Sequence, residues 1–405
     1  MEGTIDTTIK SKSLFWSRFK SNKLTVAGTA FISLSLLIAV LGYLITPDSS
    51  PFANNQILSI AAKPPLFKVN MLLVRKYKEI EHRSFLHTML FGKENPYNYL
   101  PIDSAWFKGD SLYVKEYSPG ANEEPFISKY HLANIVYPVN TFEPILKNKQ
   151  ESYTFKDIDK KTVTVSGNDL KKTILKKQLI RQTFLLGTDR FGRDMLSRLL
   201  IGSRVSFAVG FISVFISLLI GISLGVSAGY FRGKTDSIIM WLVNVVWSVP
   251  TLLMVLSITL VLGKGFWQIF MAIGLTMWVE VARVVRGQVL GLREKEFIDA
   301  ARVLGFSNAR IIVRHILPNT VGPIVIISAA NFASAILMEA GLSFLGIGIQ
   351  PPVPSWGNMI KDHYAYIILN QAYLAILPGL AIMLMVLSFN FIGNGLRDAF
   401  DTKMN

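Results

Sequence analysis

Residues 229–235 read Gly-Tyr-Phe-Arg-Gly-Lys-Thr, and a glycine-rich segment ending this way could cradle nucleotide phosphates with its backbone amides. That chemistry needs four residues between the glycines and a strand ahead of the loop. Here three residues separate Gly229 from Gly233, and apolar stretches flank the segment on both sides. It reads as a turn between membrane helices, so ATP chemistry is expected from another chain. Metal and acid–base chemistry are not indicated either. His82, His87, His131, His315 and His363 are scattered without ligand spacing, no nucleophile-plus-base pattern occurs, and the chain has no cysteine. We therefore expect no catalytic residue, metal or cofactor. The remaining candidates are polar groups inside apolar runs: Asn244, Glu280, Asn331, Glu339 and Asn390. Intramembrane carboxylates are costly and face a bundle interior, a partner or a pathway. Glu280 can pair with Arg283 or Arg286 one turn away. Glu339 has no base near it in sequence, which makes it the better lining candidate, and Asn331 is a further pathway or interhelical group.

One segment stands apart from this apolar background. Residues 293–318 are basic and amphipathic, with long apolar runs on both sides. Asp299-Ala300-Ala301 places two small residues beside a carboxylate on a short helix, and Gly305 follows where a helix stops and turns. Ser307 then caps a second helix over 308–317, which Pro318 closes. The expected product is a rigid knob between membrane spans.

The elements that position these residues follow from composition. Of 405 residues 51% are hydrophobic and 17% charged, too apolar for an ordinary soluble protein. The net charge of +15 does not signal nucleic acid, because the bases cluster beside apolar runs rather than interleaving with aromatics. Residues 1–23 are polar, carrying Lys10, Lys12, Arg18, Lys20 and Lys23. Residues 24–45 lack charge and are long enough to cross a bilayer as an uncleaved anchor. Residues 46–185 form a polar mixed domain with a β-hairpin over 151–157 and 162–166 and a basic helix over 169–183. Thr188 or Asp189 could cap an interfacial helix carrying Arg193 and Arg198 along one side. Further spans are expected over 205–228, 237–262 (around Pro250), 266–282, 320–345 and 372–392, with a Pro-rich loop at 350–370. Small residues from Ser328 to Ala335 suit close helix packing. Lys and Arg in short segments gather on the side of residues 1–23, 230–236, 283–314 and the tail with Arg397 and Lys403. The opposite short loops hold only Lys264 and Lys361. This places both termini and the 293–318 segment in the cytoplasm, and a long domain such as 46–185 translocates regardless of its charge.

The 293–318 segment resembles the signature loop of ABC-importer permeases: Glu-Ala-Ala, three residues, Gly, nine residues, Ile-x-Leu-Pro. Here it reads Asp299-Ala300-Ala301, Gly305, then His315-Ile316-Leu317-Pro318, with Asp for Glu and His315 for Ile. The His-Ile-Leu-Pro-Asn form is similar to the dipeptide/oligopeptide/nickel subgroup, in its second permease subunit. Further matches are 186–189 (Leu-Gly-Thr-Asp), 192–194 with Ser197-Arg198, Ala282-Arg283, 286–288, 339–346, 354–357 and 395–398. The resemblance implies an all-α polytopic fold, six transmembrane helices of the type I importer permease kind, with a mixed α/β extracytoplasmic insertion between the first two. It implies that Asp299, Ala300, Ala301, Leu304, Gly305, Leu317 and Pro318 couple to separate ATPase subunits. A homologous second permease subunit, an extracytoplasmic solute-binding protein and membrane lipid complete the expected partners. Residues 71–177 exceed the family's usual outer loop and are expected either to add surface for the binding protein or a lid, or to be a structural insertion near neither. The rival readings are a proton-coupled secondary transporter using Glu280 or Glu339, which lacks the inverted repeats expected of it, and a membrane-anchored receptor, for which six spans are more than needed.

Overall fold

The computed structural model describes residues 15–79, 81, 83–118, 126–140, 142–148, 151–263 and 265–400. Lys10, Lys12, His82, Lys264 and Lys403 lie outside them. The chain divides into two compact units, one of residues 40–201 with 365–374, the other of residues 1–39, 202–364 and 375–405. Helix α1 (Lys23–Ile45) is apolar along its length and contributes to both.

The first of these units is mixed α/β. Strand β1 (Phe67–Arg75), helix α2 (Phe85–Phe91), strands β2 (Tyr97–Lys108), β3 (Ser111–Glu116) and β4 (Ile127–His131), and helix α3 (Leu132–Val136) come first. Strands β5 (Leu146–Lys147), β6 (Ser152–Lys156) and β7 (Thr162–Ser166), helix α4 (Gly167–Thr173) and strand β8 (Leu179–Phe184) follow. Five strands form an antiparallel sheet in the order β4-β3-β2-β1-β8. Strand β1 lies inside the sheet, between β2 and β8, and is covered on both faces. Val69 and Met71 pack with Ile60 and Phe184, while Leu72 joins Ile102, Leu112, Leu132 and Leu170. The expected hairpin is β6–β7, with Ser152 opposite Ser166. The helix expected over 169–183 is shorter: α4 runs into a π-turn at Ile174–Gln178, and β8 then pairs with β1, Leu179 opposite Leu72. Pairing with a buried interior strand outweighs the helical preference of a Lys-rich sequence, because strand propensity is decided by context.

The other unit is helical. Its elements are α5 (Met195–Phe231), α6 (Gly233–Trp247), α7 (Thr251–Leu262), α8 (Phe266–Arg293), α9 (Glu296–Val303), α10 (Asn308–Phe344), α11 (Trp356–His363) and α12 (Tyr373–Phe400). Among the described residues five helices, α1 included, are long and apolar enough to cross a membrane, or six if the bent pair α6–α7 counts as one span. The span expected over 237–262 around Pro250 is not one straight helix but this bent pair. The chain breaks at Ser248–Pro250 and turns by 89°, since proline removes a donor and clashes with the preceding turn. The 205–228, 266–282 and 320–345 spans are parts of longer helices. Pro318 does not close a helix: a π-turn at Ile312–Ile316 precedes it, and it begins the regular α-helical stretch Leu317–Phe344 of α10.

Helices α5 and α8 pack through glycine. A Cβ on Gly221 would stand 2.5 Å from the Cβ of Val281, on Gly225 2.6 Å from the Ala282 carbonyl oxygen, and on Gly229 2.8 Å from the Cβ of Val289. This four-residue repeat lets two backbones approach as membrane helices do. Residues 339–346 and 354–357 form a second lock: Ser343 Oγ donates to Glu339 Oε1 at 2.6 Å, Ser355 Oγ lies 3.3 Å from Ser343 Oγ, and Gly357 sits against Ala340.

Candidate functional site

Helix α9 is built to be held on one side and offered on the other. Ile298 and Ala301 are buried with Val285, Val289, Ile311 and Ile316, while Asp299 and Ala300 are exposed. Val303 and Leu304, apolar residues at the helix end, are 88% and 71% exposed. The end itself is a Schellman cap. Phe306 N donates to Ala301 O at 3.1 Å, Gly305 N donates to Arg302 O at 2.9 Å, and Gly305 takes φ +75°. No atom lies within 4 Å of a Cβ built on Gly305, so backbone conformation rather than space requires glycine there. Ser307 Oγ then accepts from Arg310 N at 3.4 Å, opening α10 as expected.

Polar contacts fix this knob to its neighbours. Tyr230 OH donates to Asn308 Oδ1 at 2.7 Å, and Arg232 meets Glu294 at 2.7 Å. The Arg232 guanidinium holds the Glu294 carboxyl below its usual range. Arg286 grips Asp236 with two bonds of 2.5 and 2.6 Å. Residues 230–236 are thus a tight turn, with Arg232 and Gly233 both at positive φ, rather than a loop. Asp299 pairs with Arg302 at 2.9 Å on the exposed side. Leu317 is half-buried and Pro318 exposed.

The intramembrane polar groups separate. Glu280 takes neither expected partner, since Arg286 is bound to Asp236 and the Arg283 guanidinium lies 3.7 Å from the Trp247 ring centre. Glu280 is exposed and lines a small open cleft with Trp247, Thr251, Met254, Met277 and Ser334. Glu339 is buried and bound to Ser343, away from that lining. Asn331 is fully buried with no hydrogen-bond partner for either amide atom among the described residues, and Asn244 and Asn390 are exposed.

The segment expected to form an interfacial helix is instead a buried clasp, and the helix begins only at Met195. Asp189 accepts from the Phe191 and Arg193 amides at 2.8 and 2.9 Å and from Arg193 Nε at 2.5 Å, with Arg198 at 3.6 Å. Thr188 Oγ1 donates to Ile60 O at 2.5 Å, and Arg193 reaches Asn54 at 3.0 Å. Asp194, not Thr188 or Asp189, caps the helix by accepting from Ser197 N at 2.8 Å, and burial pushes its carboxyl pKa up. The glycine repeat and this clasp are the elements that sequence reading missed. A Gly every four residues in an apolar run, and Asp-x-x-x-Arg in a glycine-rich turn, were the available signals.

A polytopic helical membrane protein with a short, half-exposed helix between two long apolar helices is the class these elements define. Residues 221–405 match the model of the binding-protein-dependent transport system inner membrane component, and residues 13–65 match the N-terminal transmembrane domain of oligopeptide transport permease C. The dipeptide transport system permease protein DppC of Alkalihalophilus pseudofirmus is 42% identical over 218 residues, covering 54% of this chain and 71% of that protein. The oligopeptide transport system permease protein OppC of Escherichia coli K12 is 46% identical over 217 residues, covering 54% and 72%. A structure titled as an inward-facing MetNI methionine ABC transporter aligns at TM-score 0.44 and 18% identity, over 51% of this chain and 98% of that one. The chain belongs to the dipeptide/oligopeptide family of ABC-importer permeases: it is a multi-pass inner-membrane permease, and the secondary-transporter reading is set aside.

Proposed function

We propose that this permease imports di- or oligopeptides, pairs with a homologous second permease subunit, and docks two ATPase subunits through α9. The observation that carries the reading is the division of α9 into a buried face at Ile298 and Ala301 and an exposed one at Ala300, Val303 and Leu304. A helix capped at Gly305 and locked to α5 and α8 moves as one piece with them. A push on its exposed face therefore reaches the walls of the Glu280 cleft, which is lined from α6, α7, α8 and α10. Both termini and α9 lie in the cytoplasm on this reading, following the distribution of Lys and Arg. A solute-binding protein delivers substrate to the opposite face, and the enlarged 71–177 region gives it surface.

The Glu280 carboxylate, exposed among apolar and aromatic side chains, suits the ammonium of a peptide N-terminus. In proteoliposomes holding both permease subunits, peptide uptake is expected only with ATPase subunits and ATP; uptake without them would overturn the docking role. Glu280→Gln should raise KM for peptides with a free N-terminus roughly tenfold, from loss of a charge-assisted hydrogen bond of about 1.5 kcal/mol or more. N-acetylated peptides should show no such change, and an equal change for both would remove Glu280 from recognition.

A further inference from the structure

Helix α2 (Phe85–Phe91) has the sequence FLHTMLF and buries none of its residues. Phe85, Leu86, Leu90 and Phe91 are between 49 and 67% exposed. At helical spacing Leu86, Met89 and Leu90 share one face, whereas Phe85 and Thr88 line a charged cleft with Lys78, Arg83 and Glu94. A face this apolar is not made for water, and its position indicates what covers it.

The C-terminal end of α2 is fastened to the point where α1 ends. Lys93 N donates to Ser49 O at 2.8 Å, just beyond the last residue of α1. A Cβ on Gly92 would stand 3.1 Å from the Tyr43 ring, so only glycine lets the chain lie this close to the last turn of α1. Tyr43 OH in turn accepts from Phe52 N at 3.0 Å. The exposed side chains of Leu44, Ile45 and Phe52 occupy this same end. Helix α1 is charge-free after Lys23 and long enough to reach across the hydrocarbon. Its end therefore marks the boundary between acyl chains and headgroups, and α2 is pinned there. Arg83 and Lys93 bracket α2, where long cationic side chains reach lipid phosphates.

We infer that α2 is an interfacial anchor, lying at the membrane surface with Leu86 and Leu90 in the acyl–headgroup boundary of the leaflet where α1 emerges. It joins the mixed α/β unit to the lipid surface directly, continuing the apolar surface of the span end. The two family models match residues 13–65 and 221–405, so this stretch lies outside both.

The absence of cysteine allows single-site labelling without background. Leu86→Cys, Leu90→Cys, Thr88→Cys and Ile45→Cys carry an environment-sensitive fluorophore in the full chain, reconstituted with its copurifying subunits in phosphatidylethanolamine–phosphatidylglycerol vesicles. Quenching by a lipid with a nitroxide near the headgroup end of its acyl chain is compared with quenching by aqueous iodide. At positions 86 and 90 the lipid quencher should act several-fold more strongly than iodide, as at position 45, with the order reversed at 88. Stronger iodide quenching at both 86 and 90 would overturn the proposal, because the face would then be in water. Protection from both quenchers at 86 and 90 would overturn it equally, because a protein would then cover the face. Two independent labels guard against one of them perturbing the helix.

Discussion

Ala300 and Ala301 are neighbours of the same type, yet the fold gives them opposite duties. Ala301 is buried with Ile311 and Ile316, whereas Ala300 is exposed beside Asp299. Ala300→Asp should leave thermal stability unchanged and weaken ATPase binding by about 2 kcal/mol or more, as central contacts do, measured by copurification and peptide-stimulated ATP hydrolysis. Ala301→Asp buries a charge without a partner and should cost several kcal/mol of stability, lowering the melting temperature of the purified chain. Equal melting temperatures for the two variants would show that α9 is not seated on its buried face. The small-small pair and the glycine were legible in the sequence as motif and spacing. The division of labour between the two alanines was not, because it depends on which face α5 and α8 present to α9. Glu280 and Glu339 show the same limit: neighbouring charges in sequence suggested a partner for Glu280, but Arg286 is taken by Asp236 from another helix.

At the scale of elements, close contact between α5 and α8 rests on Gly221, Gly225 and Gly229 rather than on the small residues around Ser328. Gly225→Leu forces a side chain into the Ala282 backbone, and overpacking of this kind costs roughly 1–3 kcal/mol. Helix α8 leads into α9, so the variant should lose both melting temperature and ATPase coupling, checked by a thermal shift and an ATP hydrolysis assay on one preparation. A second element-scale expectation concerns acid. His131 caps α3 by accepting from Ala133 N at 3.2 Å, and burial holds its imidazole below the ordinary value. Asp110 accepts from Lys147 Nζ at 2.8 Å and from Tyr153 OH at 2.5 Å, and these bonds hold its carboxyl below the ordinary carboxylate value. Both folded-state pKa values lie below the unfolded ones, so both contributions are present above the unfolded values and vanish as pH falls through the folded ones. The mixed α/β unit should therefore lose stability first as pH drops below about 6.5, through His131, and again below the ordinary carboxylate range, through Asp110. Hydrogen exchange of β3, β4 and α3 against pH measures this, and His131→Asn, which retains a cap acceptor, should remove the first step alone. The β6–β7 hairpin was legible in alternation around a charged tip. Strand β8 was not, since only β1, about a hundred residues earlier in the chain and covered on both faces, makes a strand of it.

For the molecule as a whole, the register of β1 against β8 shows how the enlarged region joins the permease. Met71 stands opposite Ile180 and Leu72 opposite Leu179, so the chain leaves and returns at directly paired positions about 5 Å apart. A two-residue Asn-Gly turn of the kind that closes antiparallel hairpins can therefore replace residues 73–178. The remaining β1–β8 pairs and the Asp189 clasp to residues 54–63 stay in the chain, and the Gly221–Gly229 packing is untouched. The shortened protein should insert, bind its ATPase subunits and hydrolyse ATP at the basal rate. On the proposal that the region presents surface to the solute-binding protein, stimulation of ATP hydrolysis by the loaded binding protein should fall at least tenfold, with the binding protein's own peptide affinity unchanged. Retained stimulation would end that role for residues 73–178 without touching the proposed roles of α9 and the Glu280 cleft. A protein that inserts but loses basal hydrolysis would instead show that the region supports the permease fold itself, against the division of the chain into two compact units.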